Sequence, residues 1–219
     1  MRITRYPIKK NKEVRRKVAA SYNTLMTRIY AWSKMILVPY EQISKYVPVR
    51  ARVLDIGCGY GILATFLALD SPKRIVLGID PNHDRITAVS RLLNPKPTNV
   101  SFNDTNVGDL EEPVFDCIVM EEVLHHIPKD EQQDVLNRVS NLLSNDGLFI
   151  IRENNKRLSF RYVFVNLPLE YLLYPTEEKA NFRSNGELIT MLDKAGLSAE
   201  VIPVPWHSLV DVSLFVCRR

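Results

Sequence analysis

Cysteine is scarce and long apolar runs are missing. The three cysteines, Cys58, Cys117 and Cys217, are odd in number, and each falls in or beside an expected central strand. That argues against a disulfide framework and reads as buried free thiols in a reducing cytoplasm. No Cys/His spacing matches a zinc site, so no metal is expected. No apolar run reaches the ~18 residues of a spanning helix. The N-terminus is basic but has no apolar core or small-residue cleavage site behind it, so no secretory leader is expected and a cytoplasmic location is. There are no internal repeats and no low-complexity tracts. What is present is 219 residues, 46% hydrophobic and 25% charged, which is ordinary for one globular domain with room for a small appendage. Nothing in the sequence sets an oligomeric state.

The charge is uneven. Residues 1–20 carry eight Lys and Arg against Glu13, while the whole chain is only +4. The body is therefore mildly acidic and bears a basic arm. Such an arm can touch nucleic acid or an anionic lipid surface, or it can be a plain solvated terminus.

Periodicity gives the elements. Val14 to Val38 reads as one helix, because Val18, Tyr22, Leu25, Ile29, Trp32 and Ile36 recur at spacings of four and three and need burial on one face. Pro39 ends it, and a second short helix runs from Tyr40 to Tyr46, with Pro48 closing it. The βαβα alternation that follows predicts strands near 52–56, 75–79, 99–103, 115–120 and 148–153, with helices near 61–69, 84–93 and 130–143. Asn145-Asp146-Gly147 reads as a turn before the fifth strand. This pattern predicts an α/β fold, a mostly parallel sheet with helices on both faces. Residues 154–183 break the alternation and are rich in large apolar side chains, among them Phe160, Tyr171 and Leu172, as a functional insert would be. Ser184 and Glu187 form a capping box for a helix running to about Ala195, with Gly196 at its end. Two last strands, 199–204 and 210–217, flank a turn containing Trp206, His207 and Ser208. The expected organisation is a basic arm and helical cap over 1–46 and one domain over 47–219, with 154–183 at the site.

The most informative stretch is Val53-Leu54-Asp55-Ile56-Gly57-Cys58-Gly59-Tyr60-Gly61. A buried strand turns sharply into a helix through three glycines at alternate positions. Glycine lets backbone approach a ligand where a Cβ would clash, and the following helix offers unpaired N–H groups. The place suits a nucleoside-like cofactor across the carboxyl end of a sheet. The spacing is G-x-G-x-G, not the G-x-G-x-x-G of a dinucleotide site. About twenty residues on, Ile75-Val76-Leu77-Gly78-Ile79-Asp80 is a strand ending in an acid, followed by Pro81. A carboxylate there can accept both ribose hydroxyls, or it can serve only as a helix N-terminal charge.

Asp55-x-Gly57-x-Gly59-x-Gly61 resembles the first motif of the class I S-adenosylmethionine-dependent methyltransferases. Phe115-Asp116-Cys117-Ile118-Val119-Met120-Glu121-Glu122-Val123-Leu124-His125-His126-Ile127 is similar to a block of their small-molecule members, including quinone-biosynthesis enzymes, and Asn145 to Glu153 resembles the block after it. Together these cover roughly residues 50–153. The resemblance implies a Rossmann-like sheet of seven strands with an antiparallel member in the last pair, and S-adenosylmethionine as cofactor. It implies that Asp55, Gly57, Cys58, Gly59, Tyr60 and Gly61 hold the methionine moiety, that Asp80 and Pro81 meet the ribose, and that the backbone around Glu121 meets the amino-acid end. For adenine, Asn106 stands where an Asp is usual, with Val107 flanking the ring; Asp104 takes the place if the loop is shifted. Glu122 reads as a solvated or helix-terminal charge, and Asp116 as structural.

His125 and His126 are the candidate catalytic residues. A neutral imidazole suits general-base work on a hydroxyl acceptor, and the alternative is a histidine that only orders its loop. Methyl transfer needs little acid–base help, so positioning alone could suffice. The expected function is transfer of a methyl group to a small, apolar or lipid-like acceptor, through O, N or C. RNA methylation through the basic arm is the runner-up, although there is no RNA-binding module and no N-P-P-Y-type motif. A non-catalytic cofactor-binding scaffold is the third reading, and peripheral membrane contact is kept open.

Overall fold

The computed structural model describes residues 11–38, 40–111, 114–154, 181–202 and 212–219. Most of the 154–183 insert and the turn holding Trp206, His207 and Ser208 lie outside them. The elements in chain order are α1 (Asn11–Ala20), α2 (Leu25–Leu37), α3 (Tyr40–Ser44), β1 (Ala51–Ile56), α4 (Ile62–Asp70), β2 (Arg74–Ile79), α5 (His83–Leu92), β3 (Val100–Asn103), β4 (Phe115–Glu121), a 3-10 turn (Leu124–His126), α6 (Gln132–Leu142), β5 (Leu143–Asn154), α7 (Asn185–Lys194), β6 (Ser198–Ile202) and β7 (Val212–Arg218).

The seven strands form one sheet in the order β3-β2-β1-β4-β5-β7-β6. β7 runs antiparallel to both β5 and β6, and the other pairings are parallel. Both faces are covered, which is why the strands read as continuous apolar runs. Side chains alternate between two cores. From β4, Cys117 and Val119 join Val53, Val76 and Val216 against α1, α3 and α4. Ile118 and Met120 join Leu54, Phe149 and Phe215 against α6 and α7. At the amino end of the sheet, the buried Arg74 guanidinium donates to the carbonyls of Pro48, Val47 and Leu67 and to Asp70. Asp116 fits its structural reading, since it accepts the Arg52 amide at 2.7 Å.

Three sequence expectations need correction. The helix expected over Val14 to Val38 is two helices. Ser21 to Thr24 leave the helical path because Tyr22 bridges to Leu93, Asn23 N donates to Leu92 O at 2.9 Å and Asn94 N to Ser21 O at 2.7 Å. Thr24 then caps α2, accepting the Thr27 amide at 3.2 Å. Ser, Asn and Thr favour such local bonds over a helix interior. The expected single buried face is split with it: Val18 and Tyr22 are buried, whereas Leu25, Ile29, Trp32 and Ile36 are exposed. Finally, Asn145-Asp146-Gly147 does not lie ahead of β5 but inside it, where three extra residues leave the ladder between Leu143 opposite Phe115 and Leu148 opposite Cys117 and Gly147 folds back on Ser144.

Candidate active site

β1 delivers the chain to Gly57, Gly59 and Gly61, all at positive φ (70°, 53° and 73°), a region costly to side chains. The three glycines differ in what a Cβ would meet. On Gly57 it would overlap Val123, and on Gly61 it would lie 2.6 Å from the Phe102 ring. On Gly59 it would meet nothing within 4 Å. Gly57 and Gly61 are thus demanded by packing, and Gly59 faces open space.

Two carboxylates flank this loop. Asp80, at the end of β2, accepts the Gly59 amide on Oδ2 at 2.9 Å and the Asn82 amide on Oδ1 at 2.9 Å. Arg85 Nη1 approaches Oδ2 to 3.8 Å. Asp80 therefore shapes the glycine loop from the neighbouring strand, and Pro81 follows it at the surface. Asp55 is buried, and its Oδ2 has no hydrogen-bond partner among the described residues. Burial first, then the charge of Glu121, pushes its carboxyl well above the usual carboxylate range, against a backbone hydrogen bond from Ala64. Cys58 N donates to Ile79 O at 2.9 Å. Burial, with Asp55 and Asp80 adding to it, raises the Cys58 thiol well above its usual value. Tyr60 stands at the rim: its carbonyl accepts the Tyr22 hydroxyl at 2.8 Å, and the Tyr30 ring meets its ring edge-on at 5.7 Å. The N-terminal helices therefore reach the carboxyl edge of the sheet.

Asn106 and Val107 sit in the loop after β3. Val107 is buried. The Asn106 Oδ1 accepts the Gly108 and Asp109 amides at 2.7 and 3.1 Å, and its Nδ2 donates to Asp109. Both lone pairs of that oxygen are engaged in its own turn. Asp104, the alternative, lies 2.5 Å from His83 Nδ1.

At the end of β4 the side chains concentrate. Arg152, opposite Glu121 in the adjacent strand, donates to Glu121 Oε1 at 2.9 Å and to Glu122. Burial, and then Glu122, pushes Glu121 up to about 7. Burial acts on Glu122 as well, but Arg152, Lys34 and His125 outweigh it and hold this carboxyl below its usual value. Glu122 turns the chain at φ 54° and is half-buried in this ion cluster, not the solvated or helix-terminal charge that the sequence implied.

The two histidines part company. His126 is exposed and His125 is buried. His125 Nδ1 lies 2.6 Å from Glu153 Oε2, while Glu153 Oε1 accepts the Val123 and Leu124 amides at 2.9 and 2.7 Å. Phe182 stacks on the His125 ring at 4.9 Å. The fully buried Gln132 fixes the segment, donating to Leu124 O, Ile127 O and Asn181 O, each at 3.0 Å. Sequence reasoning passed over Glu153, Arg152, Lys34 and Gln132. The signal for the first two was two charged residues ending the apolar run Leu148 to Ile151.

Comparison with known proteins agrees with this geometry. A family model described as a methyltransferase domain matches residues 30–200. The chain is 29% identical to the ubiquinone biosynthesis O-methyltransferase of Haemophilus ducreyi over 160 residues, 68% of this chain and 66% of that one, so it spans just under two thirds of that relative's length. It is 29% identical to the same-named protein of Xylella fastidiosa over 182 residues, 78% of this chain and 72% of that one. Among solved structures, the Burkholderia thailandensis 1,6-didemethyltoxoflavin-N1-methyltransferase, with S-adenosylhomocysteine bound, shares the fold at a TM-score of 0.67 and 20% identity, covering 98% of this chain and 92% of that one. A family model reaching across most of the chain, on a sheet of this strand order, leaves one assignment: the chain belongs to the class I S-adenosylmethionine-dependent methyltransferases, whose cofactor is S-adenosylmethionine.

Proposed function

We propose that this chain transfers a methyl group from S-adenosylmethionine to a hydroxyl of a small, apolar or lipid-like acceptor, with His125 as general base. The observation that carries the reading is the 2.6 Å contact between His125 Nδ1 and Glu153. A carboxylate on Nδ1 keeps the proton there and puts the basic lone pair on Nε2. The names of the relatives, O-methyltransferases of ubiquinone biosynthesis, point the same way.

The cleft suits the donor. Asp55 Oδ2 is a buried acceptor lacking a partner among the described residues, which fits an ammonium group, and the open space at Gly59 fits a ligand lying on the loop. Asp55 and the Gly57–Gly61 loop, with Cys58 and Tyr60, would hold the methionine part, together with the backbone at Glu121. Asp80, with Pro81, would take the ribose. Val107 would flank the adenine, and the engaged Oδ1 of Asn106 leaves its turn to meet the base through backbone or through Asp109. When bound, S-adenosylmethionine supplies a methyl group on a sulfonium, an electrophile with a neutral leaving group.

The chain's own work is to orient and to move one proton. His125 Nε2 accepts the proton of the acceptor hydroxyl as that oxygen takes the methyl group in line. Glu153 stabilises the imidazolium, which then returns the proton to solvent. Tyr30 and Tyr60 give the rim an apolar lining suited to an acceptor of that class, and α1 and α2 act as its cap.

The test is transfer from labelled donor to phenolic, lipid and RNA extracts. Label in a phenol or lipid, lost in His125→Asn but kept in His126→Asn, is the expected result. Label in RNA alone would replace the acceptor class. Donor binding without any transfer would leave the scaffold reading.

A further inference from the structure

The core-facing side of α2 is narrow. Ala31 and Met35 are fully buried, and Tyr30 meets Tyr60. On the opposite arc Leu25, Met26, Ile29, Trp32 and Ile36 are 72, 75, 54, 39 and 65% exposed. Leu25, Ile29, Trp32 and Ile36 follow each other at spacings of four, three and four, which places them in one row along the helix. Single exposed apolar residues need no explanation, but a contiguous row marks a contact surface.

The charge beside this row has one sign. α2 contains no acid and carries Arg28 one turn from Trp32, while its other base, Lys34, lies on the inner side near Glu121 and Glu122. α1 packs against α2 and presents Lys12 and Arg16 at the surface. Residues 1–40 contain ten Lys and Arg against Glu13 alone. An apolar row with Trp at its middle and bases around it is the composition of a helix lying in a lipid interface.

We infer that the outer face of α2 docks on a bilayer surface containing anionic lipid, with the row at the acyl boundary and the bases at the headgroups. A second copy fits the face less well, because pairing α2 with α2 brings two strongly basic segments together without acids to meet them. The inference stands on the helix and is independent of which acceptor the enzyme uses. Its geometric consequence is that the rim at Tyr60, on the inner side of the same helix, lies close to the lipid surface.

The experiment is flotation of the full chain with vesicles of phosphatidylcholine and phosphatidylglycerol, against phosphatidylcholine alone. A Trp206→Phe background leaves Trp32 as the one tryptophan, so its emission reports the face itself. The expected result is binding to the anionic vesicles, a blue shift of Trp32, and weakening with salt. The double variant Ile29→Glu, Ile36→Glu should lose roughly tenfold or more in partitioning, with its melt and its donor affinity unchanged because both side chains lie outside the core. Three results would overturn the inference: no binding to anionic vesicles, equal binding by the double variant (which would assign contact to the basic arm), or a concentration-dependent dimer that the double variant abolishes.

Discussion

At Glu153 one carboxylate serves three neighbours: one oxygen holds the Val123 and Leu124 amides and the other holds His125. Glu153→Gln keeps an acceptor for the amides but offers an N–H to Nδ1, which moves the ring proton to Nε2 and removes the base. Turnover should fall by about 10²–10⁴, donor affinity by calorimetry should hold, and the basic form's limb should vanish from the pH profile. An unchanged profile would leave Glu153 a purely structural residue. Glu121 gives a second prediction. Its carboxyl is raised from 4.5 to about 7, so the folded state holds that proton more tightly than the unfolded one. The stability it contributes is full below 4.5 and lost as pH rises through about 7, an effect of up to about 3 kcal/mol. Denaturant unfolding of the donor-free protein should show stability falling from about pH 5 to about pH 8, and Glu121→Gln should flatten that slope; equal slopes would refute it. Some of this was readable from the chain. Asp55, Asp80 and the glycines announce themselves by ending strands. The difference between His125 and His126 was not readable, because it depends on a carboxylate supplied by another strand.

The glycine loop turns local spacing into a test of element-scale packing. Gly57→Ala and Gly61→Ala place a methyl against Val123 and Phe102 and should add about 1–3 kcal/mol of overpacking to the left-handed strain that all three positions share, read in thermal or denaturant unfolding. Gly59→Ala has no such neighbour and should cost only about 1–2 kcal/mol of left-handed strain, yet weaken donor binding most for its cost in stability. If all three lose stability and affinity in proportion, the proposed division between packing and ligand space is wrong. The element pattern was legible where a short local run decides it, as in the continuous apolar strands β1, β2 and β4 and in α7, whose capping box joins Ser184 to Glu187 as the sequence implied. It failed at α1 and α2. The row from Val18 to Ile36 has a perfect helical period, but its interruption is fixed by Leu92, Leu93 and Asn94, distant residues that no local pattern contains.

On the scale of the molecule, the boundary expected at 46/47 does not divide the interior. Val18, Tyr22, Met35, Val38, Ile43 and Tyr46 share one core with Val53, Phe66 and Val76. Removal of residues 1–46 should therefore abolish a cooperative melt instead of leaving a donor-binding remainder, and a truncated chain that still melts sharply would restore the separable cap. The small bridge at Tyr22 sets the order in which this interior assembles. Asn23 Nδ2 reaches Arg91 O at 2.8 Å across 68 residues of chain, so these contacts wait until β1, α4, β2 and α5 have been built. Closing so long a loop takes entropy before any contact returns it, and the N-terminal helices should dock after the rate-limiting barrier. Tyr22→Ala should then quicken unfolding in stopped-flow experiments while leaving refolding nearly unaltered, a φ-value near zero, and the amides of Ser21 to Thr24 should exchange with deuterium through a partial opening that leaves β1 protected.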